Sequence, residues 1–320
     1  MWNQAAGYVF VIGGAACWGV TGLFVQQLYD AGFSPWQVVT VRHTVSALIL
    51  LTFLLLTARH HLRIRLRDMP VLILLGVCGM ALFNGFYFIV MEQASLAIAV
   101  VFVYTSPIFA ALIARFVYGE QLTLQKNVAI MLTILGCAFA IGLFPAGNMT
   151  ITWPIVFIGL LAGLFCSSYS LIGKFVSGRY HPLTITSYAL AGGALVSFPT
   201  SGVWEHTGTL TDGSLLLPIT GITLISTLAA YILFTMGLKY IESSRAAILS
   251  STELVISVML SVFVLQDVLT WWQAFGIALV MLSIALTVLS FRRIIRRKYP
   301  DQEYENYNWE QPPQQAGTDR

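Results

Sequence analysis

The chain has 320 residues, of which 57% are hydrophobic and only 10% charged, with a formal net charge of +3. That balance excludes a soluble protein of about two domains and a nucleic-acid binder, both of which need far more surface charge. A hydrocarbon core of roughly 30 Å demands about 20 apolar residues of any helix that crosses it, and the chain is built almost wholly of such stretches.

The first predicted span runs from Val9 to Leu28. Trp18 and Thr21 stand three apart in it and share a face. Gly14-Ala15-Ala16-Cys17 has a faint look of a lipoprotein cleavage site, but no basic segment precedes it and the apolar run continues past it, so it reads as an uncleaved helix. Span two, Trp36 to Thr57, carries Arg42 about seven residues beyond its start, or ~10 Å deep at about 1.5 Å per residue. A cation there costs about 2.5–3.5 kcal/mol on insertion scales. Either Arg42 snorkels or satisfies backbone carbonyls, or it faces a cavity and holds a carboxylate or phosphate with its planar fork. Its neighbour His43 points about 100° away and reads as a packed histidine.

Span three covers Val71 to Val90, with Asn84 and Tyr87 on one face. Span four, Leu96 to Val117, holds Tyr104 and a Ser106-Pro107 pair near its middle. Pro107 removes a backbone donor, kinks the helix and frees the carbonyl of Val103. Span five is Asn127 to Phe144, and five more follow: Trp153 to Phe175, Leu183 to Trp204, Leu215 to Met236, Ala246 to Val264 and Trp271 to Phe291. Tyr169 lies in the sixth, Tyr231 in the eighth and Glu253 in the ninth.

Glu253 is the only carboxylate well inside a predicted span. Such a group must pair, protonate or face water. It is therefore the candidate for ion coupling, the alternative being a neutral carboxyl that ties span nine to a neighbour. The midspan aromatics Trp18, Tyr87, Tyr104, Tyr169 and Tyr231 either pack and anchor, as aromatics commonly do in membranes, or line an amphipathic cavity together with Arg42, Asn84 and Ser106.

Charge orients the chain, because Lys and Arg in short loops are retained on the cytoplasmic side. Arg59, Arg63, Arg65 and Arg67 follow span two, Arg115 and Lys126 flank the break after span four, and Lys174 and Arg179 lie at the end of span six. Lys239 and Arg245 flank the break after span eight, and five cations from Arg292 to Lys298 follow span ten. The alternate loops have no Lys or Arg. The expectation is ten transmembrane helices with both termini cytoplasmic.

The stretch Ala97 to Thr123 returns as Ser244 to Thr270. Pro107 and Leu254, Glu120 and Asp267, and Thr123 and Thr270 are each 147 residues apart, as are Pro35 and Pro182 in other spans. An odd number of spans per copy turns the second copy over in the bilayer, giving two inverted five-helix repeats, at 7–146 and 153–292. The segment 299–320 is acidic, rich in Pro and Gln and without an apolar period, and reads as a disordered cytoplasmic tail.

These features resemble the EamA-type transporters of the drug/metabolite transporter superfamily: Ala15-Ala16-Cys17-Trp18-Gly19 in span one, Pro35 and Arg42 in span two, Ser106-Pro107 in span four, then Gly119-Glu120-Gln121-Leu122-Thr123. The resemblance covers residues 7 to 292. It implies a multi-pass cell-membrane protein with a central cavity bounded by spans one to four and six to nine, spans five and ten being peripheral. The family pattern has a Glu-Pro pair in span nine. Here Leu254 follows Glu253, which takes away the proline that would kink it.

No P-loop, HExxH or GxSxG motif is present. The four cysteines lie within apolar segments, and neither they nor the histidines have the spacing of a metal site or disulfide framework. The sequence therefore predicts no enzyme, no cofactor, no metal and no nucleic acid. It predicts a secondary transporter exporting small organic metabolites or amphipathic compounds, amino-acid-like or drug-like, by alternating access, with the bilayer, a small-molecule substrate and protons or a counter-substrate as partners. Uptake of a similar solute, and a membrane sensor or interaction subunit acting through the acidic tail, are the alternatives.

Overall fold

The computed structural model describes residues 2–94, 96–143, 152–206, 213–264, 266, 268 and 270–298. All regular structure among them is helical. This follows from the composition, since a backbone in hydrocarbon must satisfy its own hydrogen bonds. In the first half, α1 (Trp2–Gly19) and α2 (Thr21–Asp30) form one bent stretch, and α3 (Pro35–Thr57) follows. Next, α4 (Met69–Gly76) continues through a π-helical turn, Val77–Leu82, into α5 (Phe83–Gln93). Then come α6 (Leu96–Val103), α7 (Ser106–Val117) and α8 (Leu124–Ala140).

The second half repeats the plan. It has α9 (Trp153–Ser177) and α10 (Pro182–Ser201), then α11 (Leu216–Thr223), a second π turn at Leu224–Ala229 and α12 (Ala230–Leu238). The last elements are α13 (Ser243–Leu249), α14 (Thr252–Val264) and α15 (Trp271–Lys298).

Among the described residues, eight helical stretches are long and apolar enough to cross a membrane, including Gln4–Asp30, Leu66–Gln93 and Gly213–Leu238. The two remaining predicted spans fall short for physical reasons. Helix α8 has 17 residues, about 25 Å of rise. Helix α10 has 20, but its Thr184, Thr186, Ser187 and Ser197 lower its hydropathy while lying buried inside the bundle. The predicted tail at 299–320 and the repeat residue Asp267 lie outside the described residues.

Local signals set the helix starts. Ser34 and Gln37 form a reciprocal capping box ahead of Pro35 at the start of α3, and Thr123 caps α8 by accepting from Lys126 N at 3.2 Å. Spans four and nine are both broken. Helices α6 and α7 separate at Tyr104-Thr105, and α13 and α14 at Ser250-Ser251. The second break corrects the expectation drawn from the missing proline. Ser250 and Ser251 hydroxyls donate to Ala247 O and Ile248 O, at 2.8 and 2.7 Å, offering the chain local partners that compete with the helical ladder.

Helices α8 and α15 pack along each other. Gly136 and Gly276 allow close backbone approach there, and the Thr133 and Ser283 hydroxyls meet at 2.7 Å. The loops that carry the cations gather at one end of the bundle. There the Tyr180 hydroxyl donates to Asp68 Oδ2 at 2.6 Å, and Arg179 approaches Asp68 at 3.5 Å. A cluster containing Leu28, Phe33, Val203 and Leu215 closes the loops at the other end.

Candidate functional site

Between the halves lies a cavity of about 540 Å³, within the range that holds small organic ligands. Tyr29, Pro35 and Met91, near helix ends that bear no Lys or Arg, are among its lining, and no residue of the basic loops lines it. Trp18, Arg42, Asn84, Tyr87, Tyr104, Ser106, Tyr169, Tyr231 and Glu253 all line it. Pro107 does not. It is buried behind the wall in the first turn of α7, and the helix divides just before it, beside the cavity-lining Val103.

Helices α3 and α10 occupy matching places in the two halves, yet α3 contributes Val38, Val39 and Arg42 to the cavity while α10 contributes nothing. This corrects the expectation that all of spans one to four and six to nine bound it. Helix α10 is held back against α4, where a side chain at Gly76 would overlap Ala189 O. Ile141, just beyond α8, reaches the wall instead.

The floor is aromatic. Trp18 meets Tyr231 edge to face at 5.1 Å, Tyr231 meets Tyr169 at 4.8 Å, and the Tyr169 hydroxyl bonds Thr235 Oγ1 at 2.9 Å. Such rings give area and shape at low conformational cost, with a polar edge toward water. Two ionisable side chains of opposite type, Arg42 and Glu253, join this lining. Arg42 Nε donates to Thr227 Oγ1 at 3.2 Å and its Nη2 to Ser226 O at 3.4 Å. Glu253 lies in the first turn of α14, where the helix N-terminus favours an anion. His43 is fully buried beside Gly193 and Met80 with both ring nitrogens unpartnered, a packed residue with no cavity role.

Beneath the cavity the basic end is sealed. Tyr8, Val11, Leu54, Leu72, Val176 and Leu238 pack into one apolar cluster. Below it the buried Glu120 accepts from Ser243 N at 2.9 Å, Ser243 Oγ at 2.8 Å and Ser244 Oγ, tying the end of α7 to the start of α13. Lys126 bridges Glu120 and Glu242, at 3.2 and 3.0 Å, and Arg245 joins Glu242 to the Tyr8 hydroxyl. Burial would raise the Glu242 carboxyl, but Arg245 and Lys126 beside it hold it below its ordinary value. Lys174 donates to Leu238 O and Ile241 O at 2.7 Å each. Sequence reasoning put Glu120 only at a helix end and missed Ser226 and Thr227 as partners of Arg42. No sequence signal pointed to them; the two π turns, 147 residues apart, are visible only in the structure.

The model of the EamA-like transporter family matches residues 5–142 and 153–289. An uncharacterized transporter of Synechocystis sp. is 30% identical over 220 residues, covering 65% of this chain and 64% of its own length. An uncharacterized inner membrane transporter of Salmonella typhimurium is 23% identical, over 92% of this chain and 99% of its own. A crystal structure of 19% identity superposes with a TM-score of 0.76, covering 91% of this chain and 99% of that one. With its apolar helices and central cavity, this chain is a multi-pass membrane protein and belongs to the EamA-like transporter family.

Proposed function

We propose that the protein is a secondary active transporter of the cell membrane that exports small organic metabolites or amphipathic compounds, amino-acid-like or drug-like, by alternating access of two inverted five-helix halves. The observation that carries this reading is an aromatic cavity whose lining has one cation, Arg42, and one carboxylate, Glu253, and reaches helix ends without cations but none of the basic loops. A zwitterion or an amphiphile with one charged group fits that lining. The unequal placement of α3 and α10 supports the reading as well, since two matching elements in unlike positions are what one of two alternating states requires. If the cations mark the cytoplasmic side, the cavity faces outward in this state.

Arg42 holds an anionic group of the substrate, and Glu253 exchanges protons or holds a cationic group as the cavity changes sides. A comparison of metabolites inside and outside cells with and without the protein identifies the solute and its direction, and flux in proteoliposomes measures coupling. Glu253→Gln keeps size and hydrogen bonding but removes the titration. Gradient-driven flux should collapse while exchange at equal concentrations survives. Wild-type accumulation with an unchanged pH profile in Glu253→Gln would refute the coupling role, and net uptake by the wild type would refute export.

A further inference from the structure

The two π turns fall at one register, Val77–Leu82 and Leu224–Ala229, but they are held in different ways. A π turn is wider than an α turn and recurs at functional sites. In the first, backbone closes on backbone. A side chain at Gly76, just before the turn, would overlap Ala189 O, one at Gly79 would stand 2.8 Å from Tyr169 Cβ, and Asn84, in the first turn of α5, donates to Met80 O at 2.6 Å. Glycine there leaves no room for movement.

At the second turn, Thr223 just before it and Ser226 and Thr227 within it take the places of Gly76, Gly79 and Met80. All three are fully buried. What holds them is α3. Ser46 Oγ donates to Thr223 O at 3.3 Å, Arg42 Nη2 to Ser226 O at 3.4 Å and Arg42 Nε to Thr227 Oγ1 at 3.2 Å. The Thr227 hydroxyl in turn donates to Ile222 O at 2.7 Å. Among the described residues the Thr223 and Ser226 hydroxyls have no hydrogen-bond partner, so spare donors at this turn are available to a shifted backbone. The Arg42 bonds are long beside the roughly 2.7–2.9 Å of a guanidinium on a carboxylate. A bidentate anion in the cavity therefore competes with them on favourable terms.

The geometry points to a ligand-released hinge in the second π turn, in which an anionic group taking the Arg42 guanidinium draws it off Ser226 O and Thr227 Oγ1 and frees Leu224–Ala229 to move. The hinge rests on the reading of Arg42 as the anion-binding residue. Thr227 is then a positioning residue, acting on the solute only through Arg42. The first turn, clamped by glycine packing, stays still, so occupancy of the cavity moves one half against the other.

Amide hydrogen exchange of the full chain in nanodiscs tests this, with sodium benzoate as the anionic probe and benzylamine as the cationic control. Benzoate should speed exchange of 224–229 by about tenfold in the wild type, the expected loss of one or two such bonds, and leave 77–82 unchanged. Benzylamine should do neither. Thr227→Val should show the faster exchange without any probe, Thr227→Ser should restore the wild-type rate, and Arg42→Gln should be fast and unresponsive to benzoate. If calorimetry detects Arg42-dependent benzoate binding but exchange at 224–229 does not change, the hinge is wrong and the anion site stands. Benzoate binding that is absent or indifferent to Arg42→Gln overturns the anion site and the hinge trigger with it. Wild-type exchange in Thr227→Val shows that these bonds do not hold the turn and overturns the hinge directly.

Discussion

One guanidinium faces both the cavity and the carbonyl of Ser226, so the two sequence readings of Arg42 describe a single side chain. Arg42→Lys keeps the charge but loses the fork. We expect kcat/KM for an anionic solute to fall at least tenfold in proteoliposome flux, the loss of one charge-assisted bond. A wild-type kcat/KM would leave only a point-charge or structural role. Arg42 and Glu253 were readable from sequence because a charge inside an apolar run is costly and therefore conspicuous. Thr227 and Ser226 were not, because hydroxyls are common in membrane helices and only the third dimension shows what they face.

At the basic end the His61 and His181 rings stack with centroids 4.2 Å apart, and His60 lies tilted against His61 at 4.0 Å. Burial pushes His181 below its ordinary value, and His61, His60 and Lys239 push it the same way. A histidine whose folded value is depressed binds fewer protons than its unfolded form, so its contribution is present above about pH 6.5 and is lost on acidification below it. His181→Asn keeps an acceptor for Leu183 N and removes the titration. The thermal midpoint should then fall less between pH 7 and pH 5 than in the wild type. An identical pH profile would show that the stack does not sense protons.

Among the elements, the breaks in spans four and nine illustrate what sequence can and cannot tell. Pro107 announces the first, since a missing donor is visible in one residue. The second depends on Ser250 and Ser251 choosing carbonyls of their own turn, a choice made by packing. The π turns left no shared trace in composition, VCGMAL in one and LISTLA in the other. Glu120 is the element-scale test. It joins α7 to α13 across the two halves, and removing one member of a buried ion pair costs about 3–5 kcal/mol. Glu120→Ala should lose that much in denaturant unfolding, and Glu120→Gln, which still accepts from Ser243 N, should lose less. A loss below about 1 kcal/mol for Glu120→Ala, the value of a surface pair, would show that the network does not hold the basic end closed.

For the whole molecule, the helical architecture followed from hydropathy and the family from a resemblance carried by short motifs such as Ser106-Pro107 and Gly119–Thr123. Hydropathy was less decisive for α8 and α10, the one short and the other rich in buried hydroxyls. The position of the cavity followed from where the costly residues fell. Which end was open did not, because the two halves share one pattern and only their unequal packing distinguishes the ends.

The central claim is that these halves exchange access to one cavity. Spin-label distances in nanodiscs, in a cysteine-free chain, test it most directly. One pair would sit at Glu92 and Glu205, near the mouth, and another at Arg63 and Lys239, at the basic end. Alternating access predicts two distance populations at each end that trade in opposite senses between pH 8 and pH 5, the mouth narrowing as the basic end widens. A single unchanging distance at both ends, or both ends widening together as in a channel, would contradict it.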